Sequence, residues 1–164
     1  MKKILSLILM VAMLMSVNTL VYAEQIEIDT SFEGVIFTYE DINMQIKIPS
    51  EWYRAELADE YVQAGYFDCF AAEDGTYTLL KLVNQNIEEI LAVLQGDETY
   101  QDVELITING IQAIIYVNTT LNNYGTIIPF SDGTMSVQME MGPAGDQANA
   151  QTLMTLMATV DTIQ

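Results

Sequence analysis

Hydrophobic and polar residues alternate along several short stretches of the chain, and turn-forming residues separate these stretches. In the clearest case, residues 134–141, a hydrophobic residue occupies every second position. The hydrophobic positions are Met135, Val137, Met139 and Met141, and the polar positions are Thr134, Ser136, Gln138 and Glu140. A period of two predicts a β-strand with one face on the core and the other in water.

Two glycine-containing pairs lie between the apolar runs of residues 104–141, and both favour tight hairpin turns. They are Asn109-Gly110 and Asp132-Gly133. Both central residues of such a turn need positive φ, which Asn, Asp and Gly tolerate best. The pattern therefore predicts a four-stranded antiparallel meander over residues 104–141.

Two further hairpins are predicted before the meander. The first joins residues 34–39 to 44–48, and the second joins residues 65–71 to 76–83 through Asp74-Gly75. Residues 24–33 are expected to form an irregular lead-in. Ser50 is expected to cap a short helical or irregular segment over residues 51–60.

Two helices complete the pattern. Asn86 is a predicted N-cap with Glu89 three residues later, and Asp146 is the predicted N-cap of a C-terminal helix. Each helix presents one apolar face, which needs a surface to cover it, and an antiparallel sheet offers such a surface. We therefore predict an α+β fold in which an antiparallel sheet, built from a meander plus hairpins, is flanked by helices in an α/β/α sandwich.

The first 23 residues have the pattern of a secretory signal peptide. Lys2 and Lys3 precede an apolar run, and Val21-Tyr22-Ala23 is a small-x-small cleavage site. We therefore expect a secreted or cell-envelope protein with one domain over residues 24–164 and no membrane insertion after signal removal. The single cysteine, Cys69, excludes an intramolecular disulfide and is expected to be a buried small hydrophobe.

The charge of the chain is strongly acidic. It has 23 acidic and five basic residues, for a net charge of −18 at pH 7. Such a charge repels phosphate backbones and anionic lipids, so nucleic-acid binding is not expected. The charge favours solubility and a monomer, or attraction of a basic partner or cation.

The sequence lacks the residues that several kinds of catalysis require. The chain has no histidine, which excludes Ser-His and Cys-His nucleophiles and the commonest zinc ligands. It also has no glycine-rich phosphate loop and no EF-hand loop. We therefore expect a non-catalytic binding or accessory module without a cofactor, whose partner is a protein or a small ligand. A carboxylate-based extracellular hydrolase remains the enzymatic alternative, with Asp68 as its test position.

Two groups of residues are candidates for binding. Trp, Tyr and Arg are enriched in binding hot spots, and the chain has these types in a row, with Arg54 as its only arginine. On the strand of residues 65–71, alternation places a carboxylate between aromatic side chains, as in a ligand pocket. The two groups are Trp52-Tyr53-Arg54 and Tyr66, Asp68 and Phe70.

An acidic loop is a third candidate, for weak calcium binding. Extracellular calcium sites often have dissociation constants of about 10⁻⁴–10⁻³ M, so a few carboxylates in one loop are enough. The candidate ligands are Asp97, Glu98, Asp102 and Glu104.

The chain resembles the PsbP-like (Mog/PsbP) family, beginning at Ile48-Pro49-Ser50-Glu51-Trp52. Further shared features are the Asp74-Gly75, Asn109-Gly110 and Asp132-Gly133 turns and the two helices. The resemblance implies an α/β/α sandwich around an antiparallel sheet. It also implies a largely non-catalytic role, since the family includes photosystem accessory subunits, a nuclear GTPase-binding protein and exported bacterial proteins. It supplies no site residues. A cystatin-like fold is the alternative.

Overall fold

The computed structural model describes residues 24–130 and 135–162. The predicted signal peptide (residues 1–23) and the predicted Asp132-Gly133 turn lie outside these ranges. Within them, no helix has the length and apolar character needed to cross a membrane.

The described residues form strands and three α-helices. The strands are β1 (Glu24–Ile26), β2 (Gly34–Tyr39), β3 (Met44–Pro49), β4 (Tyr53–Arg54), β5 (Tyr66–Ala71), β6 (Tyr77–Val83), β7 (Tyr100–Ile108), β8 (Ile111–Asn118), β9 (Asn123–Pro129), β10 (Ser136–Gly142) and β11 (Asp161–Thr162). The helices are α1 (Asp59–Gln63), α2 (Ile87–Gln95) and α3 (Gln147–Met157), and a 3₁₀ turn (Glu40–Ile42) joins β2 to β3.

Eight strands form one sheet in the order β1-β7-β8-β9-β10-β6-β5-β4. Consecutive strands from β7 to β10 pair antiparallel, which confirms the predicted meander. β1 pairs parallel to β7 at the edge. The prediction that residues 24–33 are irregular is therefore wrong for the first three, because the backbone of β7 offers them a strand to pair with.

The first predicted hairpin forms, but it belongs to a separate sheet of three strands in the order β11-β3-β2. β3 alternates as predicted. Met44, Ile46 and Ile48 are fully buried, and Gln45 and Lys47 are partly exposed. This small sheet and α3 cover one face of the large sheet, where Met139 and Met141 are fully buried.

Residues 51–60, predicted to be a short helical or irregular segment, are mostly irregular, and only two of them depart from the prediction. Tyr53 and Arg54 instead form β4 and pair with β5, and the helix α1 begins only at Asp59. Pairing with β5 satisfies backbone groups at the sheet edge, and this contact is not visible in the local sequence.

Both predicted helix caps are confirmed. The Asn86 side chain accepts a hydrogen bond from the Glu89 backbone N–H at 2.9 Å, and α2 begins at the next residue, Ile87. The Asp146 side chain accepts from the Ala148 backbone N–H at 2.9 Å at the start of α3.

The prediction that the polar face of β10 lies in water is wrong. Ser136 and Glu140 are fully buried, and Gln138 is 8% exposed. The large sheet is covered on this second face as well, by a cluster under α2 and by a cluster of Tyr66, Cys69 and Leu79 beside α1. Alternation predicts which residues share a face, but not whether another element covers that face.

Candidate functional site

An open cleft of about 590 Å³ lies between α3, the turn after β3 and the β5–β6 hairpin. Four separate segments of the chain line it, so the cleft is a product of the tertiary fold. Its lining residues are Phe32, Glu33, Pro49, Glu51, Trp52, Ala72, Asp74, Thr76, Asp146, Ala148, Asn149, Gln151, Thr152, Thr155 and Leu156.

The cleft has a one-sided charge. Four of its lining residues are acidic, all four are exposed, and none of the described residues that line it is basic. They are Glu33, Glu51, Asp74 and Asp146. A concave surface with charges of one sign focuses the electrostatic potential and attracts ligands of the opposite charge.

Two of these acids are held in place by the backbone. Asp74 accepts a hydrogen bond from the Thr76 N–H at 2.9 Å, which lowers the pKa of its carboxyl group. Asp146 is held in the same way as the N-cap of α3. Below them, the buried Asn149 joins α3 to the loop before it, since its amide donates to the Pro143 carbonyl oxygen at 2.9 Å.

Trp52 brings a large aromatic surface to the cleft. The turn from Pro49 positions it, because the Trp52 N–H donates to the Pro49 carbonyl oxygen at 3.0 Å. The indole is partly buried and packs against the main core, while it also lines the cleft. Trp52 is thus the one sequence-predicted candidate that lies in this cleft.

The neighbouring candidates point elsewhere. Tyr53 pairs with Ala71 and is 55% exposed, and Arg54 pairs with Phe70, so successive side chains of β4 face opposite sides. The stretch Trp52-Tyr53-Arg54 therefore does not form one binding surface.

Arg54 instead forms an ion pair with Asp68. Its Nε donates to Asp68 Oδ1 at 2.8 Å, and Asp68 is 3% exposed. The Tyr39 hydroxyl donates to the other carboxylate oxygen at 2.5 Å. Burial and this hydrogen bond raise the pKa of Tyr39, and the bond to Asp68 raises the pKa of Arg54. The expectation that Arg54 is available to contact a partner is not supported, because its guanidinium is hydrogen-bonded to the buried carboxylate of Asp68.

The second predicted group is also divided. A β-bulge between Tyr66 and Asp68 shifts the register, so Tyr66 lies on the face of Cys69 while Asp68 and Phe70 lie on the other. Phe70 is fully buried and its ring contacts Phe37 at 4.6 Å between centroids. The predicted pocket of Tyr66, Asp68 and Phe70 is therefore wrong, because an extra residue in one strand inverts the alternation.

Cys69 is buried as predicted. Its side chain packs with Tyr66 and Leu79, and burial raises the pKa of its thiol. A raised pKa keeps the thiol protonated and unreactive at neutral pH.

The four predicted calcium ligands do not converge. Among residues 24–130 and 135–162, no three histidine, cysteine, aspartate or glutamate side chains form a group that could hold a metal ion. Asp97 instead accepts from the Thr99 N–H at 2.9 Å, which lowers its pKa. Asp102 and Glu104 belong to β7, where the strand separates them from the turn of Asp97 and Glu98.

A buried polar cluster around Glu140 was missed in the sequence analysis. Glu140 Oε1 accepts hydrogen bonds from the Tyr116 hydroxyl at 2.9 Å, the Gln138 amide at 3.1 Å and the Asn118 amide at 3.2 Å. No lysine or arginine in the described part of the chain pairs with it. The carboxylate thus depends on neutral donors for its stabilisation.

Gly125 makes room for this cluster. It lies opposite Tyr116 on one side and opposite Glu140 on the other. A Cβ atom at Gly125 would lie 2.0 Å from the Tyr116 ring, so only glycine lets the ring cross the strand. A glycine inside a predicted strand indicates such a close approach, and it was the signal available in the sequence.

The cleft and the fold can be compared with known proteins. No family model matches the chain, and no curated protein matches it. The solution structure of cyanobacterial PsbP (CyanoP) from Synechocystis is similar, with a TM-score of 0.53 and 9% identity over 80% of this chain and 93% of that protein. A crystal structure from Bacteroides thetaiotaomicron is also similar, with a TM-score of 0.50 and 14% identity. That likeness covers 81% of this chain, which spans only half of the other protein.

The chain therefore has a PsbP-like α+β fold. This confirms the fold predicted from the sequence and its resemblance. At these identities the likeness concerns the fold, and the role must be argued from the residues of this chain.

Proposed function

We propose that this protein is an exported, non-catalytic binding module that binds a cationic segment of a partner protein in the acidic cleft beside Trp52. The observation that carries the proposal is the composition of the cleft, whose described lining combines four exposed carboxylates with one tryptophan and no basic residue. The chain as a whole carries a net charge of −18, so its field attracts the same class of partner.

The chemistry of the cleft suits lysine and arginine side chains. Carboxylates accept charge-assisted hydrogen bonds from both, and an indole face attracts a cation within about 6 Å of its centroid. Asp74 and Asp146 are held by backbone N–H groups, so they present their charge without a large loss of side-chain freedom on binding.

A non-catalytic role agrees with the state of the acids. Asp68, the acid named for the hydrolase alternative, is nearly buried and engaged by Arg54 and Tyr39.

Trp52 offers a direct test, because it is the only tryptophan of the chain and its fluorescence reports on the cleft. The purified protein is titrated with an end-blocked oligolysine peptide, and with oligoglutamate as the comparison. We expect oligolysine alone to change the emission, with an affinity that falls as salt is added because exposed charges are screened.

A matched pair of double variants distinguishes binding by the cleft carboxylates from attraction by the overall negative charge. Glu51→Gln/Asp146→Asn removes two cleft charges and keeps a good N-cap at position 146. Glu88→Gln/Glu98→Gln removes the same charge from exposed positions at α2 and the turn after it. The cleft variant should bind about tenfold more weakly. Equal weakening by both variants would reject the cleft as the site, and turnover of a substrate lost in Asp68→Asn would favour the hydrolase.

A further inference from the structure

The strand β2 forms an open sheet edge that differs from the other edges of the two sheets. The described strands β1, β4 and β11 are edges of only two or three residues. β2 has six residues, no charged residue, no proline and no register shift against β3. Proteins usually shorten, charge or bulge their edge strands to prevent pairing with another chain. β2 has none of these protections.

The backbone groups of β2 that face the open side follow from its pairing. The Glu33 carbonyl oxygen accepts from the Ser50 N–H at 3.3 Å, and antiparallel ladders bond inward at every second residue. Pro49, which has no N–H, lies opposite Gly34 as this pattern requires. The residues whose N–H and C=O groups point to the open side are therefore Gly34, Ile36 and Thr38.

The side chains around this edge are exposed and apolar. Ile36 is 61% exposed and Val35 is 51% exposed. Among the large hydrophobic residues that the structure describes, Ile36 has the highest exposure. Two other side chains of β2 fix the strand against the protein core. Phe37 packs on Phe70, and Tyr39 donates to the buried Asp68. A fixed strand loses little conformational entropy when another strand joins it.

The charges at the two ends decide which strand can join. β2 is uncharged, but the exposed Glu33 precedes it and the exposed Glu40 follows it. A second copy paired around Ile36 would bring these acids near each other at both ends, and parallel pairing would place each beside its own equivalent. Like charges opposite one another oppose pairing, as does the net charge of −18. The charges at this edge therefore disfavour pairing with a second copy and favour pairing with a strand that has basic ends.

We propose that β2 binds an extended segment of a partner protein by strand addition, and that this segment has an uncharged, β-prone middle between basic residues. Main-chain hydrogen bonds to Gly34, Ile36 and Thr38 supply the pairing, and Glu33 and Glu40 select the charge. This inference goes beyond the cleft and does not require that the cleft binds anything.

The test uses the purified protein and an end-blocked peptide of alternating valine and threonine between two terminal lysines. Binding should slow amide hydrogen exchange at Ile36 and Thr38 by about tenfold or more at saturation. The same peptide with N-methyl groups on all of its backbone amides keeps its charge and side chains but has no N–H on either edge with which to pair, so it should leave this exchange unchanged.

Two protein variants complete the test. Ile36→Pro removes one N–H from the open side and no bond to β3, so it should fold and bind the peptide about tenfold more weakly, whereas Ile36→Thr should bind normally. The cleft variant Glu51→Gln/Asp146→Asn should still bind this peptide, even where it has lost oligolysine. The proposal is overturned if the N-methylated peptide binds as well as the parent, if protection appears only at the cleft, or if the protein pairs with itself through β2. The peptide comparison decides the question if Ile36→Pro does not fold.

Discussion

The Tyr116 hydroxyl donates a hydrogen bond to Glu140 Oε1 at 2.9 Å across the intervening strand β9. Tyr116 is 2% exposed and Glu140 is fully buried, so the bond lies in the interior of the sheet. Burial and the neighbouring Glu140 raise the pKa of Tyr116 well above its usual value. The phenol therefore stays a hydrogen-bond donor to Glu140 over the whole neutral range of pH.

Loss of this hydroxyl should destabilise the fold. Tyr116→Phe removes one donor and leaves a buried carboxylate oxygen short of a hydrogen bond, which costs about 1–3 kcal/mol. Urea unfolding measures this as a lower free energy of unfolding. Tyr53→Phe is the matched control at an exposed position, where we expect a change within about 0.5 kcal/mol. Equal losses in the two variants would contradict a special role for the buried bond.

Gly125 should tolerate no side chain. Gly125→Ala places a methyl group inside the Tyr116 ring position, and we expect a loss of about 3 kcal/mol in the free energy of unfolding. Gly96→Ala is the control, since its added Cβ would meet its nearest atom at 3.4 Å and its φ is −88°. A Tyr116→Ala background should reduce the cost of Gly125→Ala, because the clash is then removed. Purely additive losses would show that the ring is not the obstacle.

The Arg54–Asp68 pair should act as a unit. Arg54→Met leaves the nearly buried Asp68 carboxylate without its cation and should cost about 1–3 kcal/mol, below the value for a fully buried pair because the arginine side chain is 58% exposed. Adding Asp68→Asn to Arg54→Met removes the unpaired charge and should restore part of the loss. Chemical denaturation of the two single variants and the double variant gives the coupling. Losses that simply add would contradict it.

Stability should fall on the alkaline side. The pKa values of Tyr39, Tyr66 and Tyr116 are raised from 10.0, with burial as the largest cause. The unfolded tyrosines lose protons first, so their contribution is complete below pH of about 10 and declines as the pH rises towards the folded pKa values. Thermal melts between neutral pH and about pH 11 measure the decline. Tyr39→Phe should flatten the dependence, and an unchanged slope would contradict its assignment.

The sequence predicts the local parts of this structure well, since their causes are local. Asn86 and Asp146 mark the two helix starts, and the alternation of β10 selects Met139 and Met141 for the core. The site depends on contacts that local patterns do not contain. The bulge before Asp68 reverses the faces of β5, and the cleft gathers acids from segments far apart in sequence. Glu140 was expected in water because alternation does not show that a second layer covers its face.

The two buried faces of β10 also limit how the sheet can assemble. A slip by one residue would turn Glu140 into the methionine core and turn Met139 towards the hydroxyl and amide donors. The carboxylate would then be dehydrated with no donor to receive it, a penalty of several kcal/mol. Correct pairing of β9 with β10 is thus selected by the instability of its nearest errors, in which the acid at position 140 has lost its hydrogen-bond donors and Met139 has left the core.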